Sequence, residues 1–144
     1  YAALCLAEGL QENGTLDTID INEELEEIQQ KYFDLSSYSN QITQHIGDAI
    51  EIIPTLNKKF DLVFIDADKE NYIHYFHLIV PLMNKGGIIL SDNVLWSGKV
   101  LEEVKANDKS TQILLDYNKI INEDERVETV LLPIRDGLTV TRVK

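Results

Sequence analysis

A chain with a single cysteine closes no internal disulfide, so the fold rests on packing and suits a reducing cytosol. That cysteine, Cys5, sits on an apolar helical face, where buried packing is expected rather than nucleophilic chemistry. Long hydrophobic runs are missing too: no window approaches the roughly 18 continuous apolar residues of a membrane span. Residues 1–10, YAALCLAEGL, carry no basic leader before their apolar stretch, so no signal peptide is expected there. A cytoplasmic protein without a membrane partner follows as the expectation. His45, His74 and His77 are scattered, and no Cys/His spacing suits zinc. Repeats, low-complexity tracts and Pro/Gly-rich linkers are also lacking, so the 144 residues are expected to form one domain. Bases are outnumbered by acids, 13 against 25, for a net charge of −12. That balance disfavours non-specific binding to phosphate backbones, although it leaves room for a local basic patch.

What is present alternates between two periodicities. Residues 3–11 predict a short amphipathic helix ended by Asn13-Gly14. TLDTIDI (15–21) predicts a strand, with Asn22 placed to cap the helix that follows. Leu25, Ile28, Tyr32 and Leu35 then recur at helical spacing and put one apolar stripe on residues 23–36. QITQHI (41–46) alternates as a strand, and Gly47-Asp48 opens a short helix running to about Leu56. FDLVFID (60–66) is near-continuously apolar, the pattern of a parallel strand buried on both faces. A helix with Ile73, Phe76, Val80 and Met83 inward follows, then a Gly86-Gly87 turn and strand GIILSD (87–92). Residues 108–122 predict a helix with Ile113, Leu114, Tyr117 and Ile121 inward. VETVLLP (127–133) and LTVTRV (138–143) are joined through Asp136-Gly137, so the last pair forms an antiparallel hairpin. The order predicts an open α/β sheet, whose ligands sit beyond the carboxyl ends of its parallel strands.

Those ends carry acids. Asp20, Asp48, Asp66 and Asp92 each lie at or just after one of four successive strands. Asp20 has the position of an acid that accepts hydrogen bonds from the ribose hydroxyls of a nucleoside, or of a helix cap. Gly47-Asp48-Ala49 suits either an adenine edge or a plain helix cap. Asp66, Asp92 and Asn93 together offer three oxygen ligands of charge −2, which fits Mg²⁺ or Mn²⁺. Lys69 lies one helical turn beyond Asp66, directed towards the same cleft. Partial desolvation there lowers its pKa and suits a general base; a simple ion pair with Asp66 or Asp68 is the alternative. Asp68 reads as a helix cap or a solvent-facing acid.

FIDADKENY (64–72), SDNVLWSG (91–98) and LPIRDGLTVTR (132–142) closely resemble the cation-dependent O-methyltransferases of the caffeoyl-CoA and catechol type, in a bacterial-like form. The resemblance covers essentially the whole chain. It implies a Rossmann-like class I methyltransferase fold, mostly parallel with a C-terminal antiparallel hairpin, that uses S-adenosylmethionine and a divalent cation. By position it assigns Asp66, Asp92 and Asn93 to the metal and Lys69 to catalysis. Asp20, Asp48, Ala49 and Asp66 fall to the cofactor, and Trp96 to the wall of an aromatic substrate pocket, unless Trp96 is an aromatic core plug. Mg²⁺ is the expected ion, with Mn²⁺ or Ca²⁺ as alternatives. The implied reaction moves a methyl group to a hydroxyl of a metal-chelated vicinal-diol aromatic.

The resemblance also implies a strand and a glycine-rich loop before residue 1, so this chain is expected to be an N-terminally truncated methyltransferase domain, from a protein that is a homodimer. Ala2 stands where a serine is common. The same chemistry on 5-hydroxyuridine at the tRNA wobble position is one alternative, which the charge of −12 disfavours. A phospho-receiver is another, but it needs an acidic pair after its first strand and a lysine ending a later one. A non-catalytic binding module that kept the fold is a third.

Overall fold

β1 (Leu16–Asp20) and β2 (Ile42–Ile46) pair in parallel with Leu16 opposite Ile42 and Asp20 opposite Ile46. The computed structural model describes residues 1–144 and divides into two units, Tyr1–Leu56 and Asn57–Lys144, the first of which holds this pair. Here α1 (Ala2–Ala7) precedes β1, α2 (Glu26–Asp34) connects the strands behind a 3₁₀ turn at Glu23–Leu25, and α3 (Ala49–Ile52) follows β2. Asn22 caps the 3₁₀ turn as the sequence predicts, its side chain accepting the Glu24 N–H at 3.0 Å.

Three expectations fail in this unit: the end of α1, the burial of Cys5 and the inward stripe of α2. α1 ends at Ala7 rather than residue 11, because Gly9 and Leu10 turn back onto the Leu6 and Ala7 carbonyls. Glycine weakens helix interiors, and a helix this short buries only Ala7 and leaves Cys5 exposed. The apolar stripe of α2 is likewise exposed: Ile28 by 52%, Tyr32 by 56% and Leu35 by 73%. The helix instead buries Phe33 (6% exposed) and half-buries Gln29 one turn earlier. Gln29 donates to Asp20 Oδ2 at 2.8 Å and accepts from Gln44 at 2.7 Å. This polar ladder sets the helix's rotation.

In the second unit the strand order is β3-β4-β6-β5. β3 (Phe60–Ile65) lies parallel to β4 (Met83–Asp92), and β6 (Leu138–Val143) runs antiparallel to both β4 and β5 (Val127–Leu132). This is the predicted α/β arrangement with its terminal hairpin. β4 begins earlier than predicted, with a register irregularity against β3 between Phe60 and Leu62 that absorbs Gly86-Gly87 into the strand. β3 is the outer strand of this sheet, so of its residues only Ile65 is buried and Leu62 is exposed. Between the strands lie α4 (Tyr72–Ile79) and α5 (Lys109–Glu123). The core packs Tyr72, Phe76 and Ile79 of α4 with Leu114, Tyr117 and Ile121 of α5 and Ile89 of β4. Each such side chain contributes roughly 1.5–3 kcal/mol by burial. No helix is long and apolar enough to cross a membrane.

Candidate active site

The parallel register brings the strand-end acids together within each unit. In the first, Asp20 closes β1 and Asp48 follows β2 at the same end. Asp20 accepts the Asn22 N–H on Oδ1 at 3.0 Å and Gln29 Nε2 on Oδ2 at 2.8 Å, while its carbonyl accepts the Gly47 N–H at 2.9 Å. Asp48 is exposed and accepts the Ile50 N–H at 2.8 Å, the geometry of a helix cap, and Ala49 is the first residue of α3.

In the second unit Ile65 pairs with Ser91, so Asp66 and Asp92 are the next residues along two adjacent strands. Asp66 is exposed, and half-buried Asp92 accepts the Asn93 N–H on Oδ1 at 2.8 Å. Lys69 is buried at 8% exposure and donates to the Tyr72 hydroxyl, to the Asp92 carbonyl at 3.2 Å and to Asn93 Oδ1 at 3.3 Å. None of these acceptors is a carboxylate, in contrast to the alternative of a simple ion pair. Burial lowers the Lys69 pKa, and the fields of Asp66, Asp92, Asp136 and Asp68 oppose that shift without overcoming it. Asp66, Lys69, Asp92 and Asn93 therefore share one neighbourhood.

Tyr72 is a member of that neighbourhood that sequence reasoning did not single out. Its ring lies under the lysine, 4.2 Å from Nζ to the centroid, and its hydroxyl is 2.9 Å from the Asp92 carbonyl and 3.3 Å from that of Ile65. Burial, then the Asp66 charge, raises its pKa, so the phenol stays protonated. Its place three residues after Lys69 was the available signal, since that spacing stacks side chains on one helical face. Beneath it Tyr117 meets the ring edge-on at 5.4 Å and shares a 2.5 Å hydrogen bond with Ser91. Burial pushes the Tyr117 phenol up to about 12, with the Ser91 bond acting against it.

Asp68 is exposed, in keeping with the solvent-facing alternative. Its side chain makes no cap bond; it accepts Asn71 Nδ2 at 2.7 Å and the Tyr75 hydroxyl at 2.6 Å, bracing the start of α4. Trp96 is half-buried, with its ring 6.0 Å from Lys69 Nζ and 5.8 Å from Lys99 Nζ. Its indole Nε1 is buried without a hydrogen-bond partner.

No three His, Cys, Asp or Glu side chains converge as a metal site. The set predicted from sequence takes its third donor from the Asn93 amide. It is all oxygen, with one Asp92 carboxylate oxygen beyond the one on the Asn93 N–H, and that chemistry fits a hard divalent cation.

The sequence profile of the O-methyltransferase family matches residues 1–144. The chain is 33% identical to caffeoyl-CoA O-methyltransferase 5 of Nicotiana tabacum, over 99% of its own length and 64% of that protein's. It is 34% identical to caffeoyl-CoA O-methyltransferase 1 of Zea mays, over 99% and 59% respectively. The chain thus spans about three fifths of the length of these curated relatives. Among solved structures it resembles an O-methyltransferase from Bacillus cereus in complex with SAH, with a TM-score of 0.92, 26% identity, and coverage of 100% of this chain and 69% of that one. An O-methyltransferase from Streptomyces achromogenes involved in tomaymycin synthesis, solved with SAM, gives 0.91, 25%, 100% and 68%.

Proposed function

The chain belongs to the O-methyltransferase family, and on that premise we propose that the protein transfers the methyl group of S-adenosylmethionine to one hydroxyl of a catechol- or caffeoyl-like molecule. The observation that carries this reading is the setting of Lys69. Its ammonium nitrogen is buried against the Asp92 carbonyl and the Asn93 amide, beside two carboxylates at adjoining strand ends. Asp66, Asp92 and Asn93 would hold a divalent cation, Mg²⁺ in the first instance and Mn²⁺ or Ca²⁺ otherwise. Such a cation, when bound, lowers the pKa of a chelated hydroxyl.

The chain's own residues do the rest. Lys69, its charged form disfavoured by burial, takes the proton of the attacking hydroxyl at Nζ. Tyr72 keeps its own proton and holds the amine in place. Trp96 offers a flat apolar wall to an aromatic acceptor. Asp20 serves the ribose hydroxyls, and Asp48 with Ala49 serves the adenine edge. The same reading takes the whole protein to be a cytoplasmic homodimer.

The test uses the full-length protein with S-adenosylmethionine, Mg²⁺ and a catechol. Lys69→Ala is expected to lower turnover by roughly 100-fold or more while Mg²⁺ binding, followed by calorimetry, stays unchanged. Unchanged turnover at saturating substrate removes Lys69 from the mechanism. Methylation of 5-hydroxyuridine in tRNA with none of the catechol overturns the acceptor class.

A further inference from the structure

Four residues in the loop after β4 have left-handed backbone: Asn93 (φ 59°), Trp96 (φ 50°), Ser97 (φ 55°) and Gly98 (φ 82°). Only the last is a glycine. A side chain in that region is strained by roughly 1–3 kcal/mol and persists only where its surroundings over-determine it. Asparagine tolerates the conformation, but a bulky tryptophan does not adopt it unaided.

The restraint comes from the turn between β5 and β6. The Asp136 carbonyl accepts the Leu95 N–H at 2.9 Å, its carboxylate accepts the Ser97 N–H at 2.5 Å, and the Gly137 carbonyl accepts the Val94 N–H at 3.2 Å. Two turn residues thereby engage three loop amides. The turn sits directly on the loop: Gly137 is buried, and a Cβ there would lie 2.5 Å from Leu95 Cγ. Asn93, just before the clamped amides, and Trp96, between two of them, are the loop residues that reach Lys69.

We propose that Asp136 is a positioning residue: it clamps the left-handed loop so that the Trp96 ring and the Asn93 amide meet Lys69. Its catalytic meaning rests on the methyl-transfer reading above, whereas the clamp itself does not. Asp136 touches the loop only through backbone amides, and because its charge also acts on Lys69 directly, the clamp is read from the loop itself as well as from turnover.

Trp96 is the single tryptophan of these 144 residues, so their tryptophan emission, excited selectively over the six tyrosines, reports on this loop. Asp136→Ala is expected to shift the emission to longer wavelength and to increase acrylamide quenching, with far-ultraviolet circular dichroism unchanged. Asp136→Asn keeps the acceptor oxygen and is expected to emit like the wild type. Ser97→Gly added to Asp136→Ala relieves the strain at one loop position, and the emission moves back towards the wild type. This double variant also carries the test if Asp136→Ala alone does not fold. Native circular dichroism with unmoved emission in Asp136→Ala overturns the proposal, as does an Asn variant that behaves like the Ala one. In the full-length protein kcat falls roughly tenfold or more in Asp136→Ala, since small misplacements at a site are costly. A moved emission alongside a wild type that methylates no catechol upholds the clamp and sinks the methyl-transfer reading alone.

Discussion

The hydrogen bond between Ser91 and Tyr117 tests how the floor of the site is held. Both residues are wholly enclosed, their oxygens lie 2.5 Å apart, and Ser91 immediately precedes Asp92. The bond thus ties α5 to the working end of β4. Tyr117→Phe keeps the ring that packs edge-on against Tyr72 at 5.4 Å and Phe76 at 6.2 Å. What it loses is the partner of a buried hydroxyl, a penalty of about 1–3 kcal/mol. Ser91→Ala strands the phenol instead, at similar cost. The double variant removes both polar atoms and is expected to lose no more than about 1.5 kcal/mol, the net worth of one hydrogen bond. Urea unfolding of the four proteins therefore yields a coupling energy on the order of 1–3 kcal/mol. Additive effects, within about 0.5 kcal/mol, would refute the reasoning. A pH series adds an independent check. The folded phenol titrates at about 12, against about 10 in the unfolded chain. The stabilisation is fully present below the unfolded value and lost as pH rises through the folded one. Tyr117→Phe lacks this dependence, so the stability gap between it and the wild type narrows across that window.

Two further substitution pairs probe the fold. Phe33→Ala is expected to cost about 3–5 kcal/mol, whereas Ile28→Ser on the exposed stripe changes stability by no more than about 0.5 kcal/mol; thermal unfolding giving the reverse order would mean that α2 turns its other face inward. Gly137→Ala combines a left-handed φ of 83° with a Cβ 2.5 Å from Leu95 Cγ, which sums strain of about 1–2 kcal/mol and overpacking of about 1–3. Gly86→Ala has φ 82° with nothing within 4 Å and is expected to show the strain alone. Equal losses in chemical denaturation would deny the close approach of turn and loop.

The sequence made Asp66, Lys69, Asp92 and Asn93 legible because strand ends and helical spacing are local properties, and parallel register then aligns the ends without further information. The hairpin was legible for the same reason, since its strands and turn are contiguous. Tyr72 was not: an aromatic residue at the start of an amphipathic helix reads as core, and its hydroxyl gains meaning only when β4 brings the Asp92 carbonyl to it. The stripe on α2 shows the limit of periodicity. A repeat of apolar residues marks one face, but the short pair β1-β2 engages α2 through Gln29, and the helix buries Phe33 instead of the stripe. Asp68 had the look of a cap until Tyr75, seven residues on, supplied its hydroxyl. The clamp at Asp136 was hidden because its partners lie some 40 residues away.

That separation has a consequence for how the protein comes to be made. A ribosome releases residues in order, so Asn93, Trp96 and Ser97 emerge well before Asp136, on which the Ser97 amide depends across 39 positions. Until the closing hairpin is synthesised and β6 inserts beside β4, nothing offsets the left-handed strain of the loop. The strand that carries Asp92 can pair with β3 early, but the loop of the site is held only once the hairpin of β5 and β6 is in place.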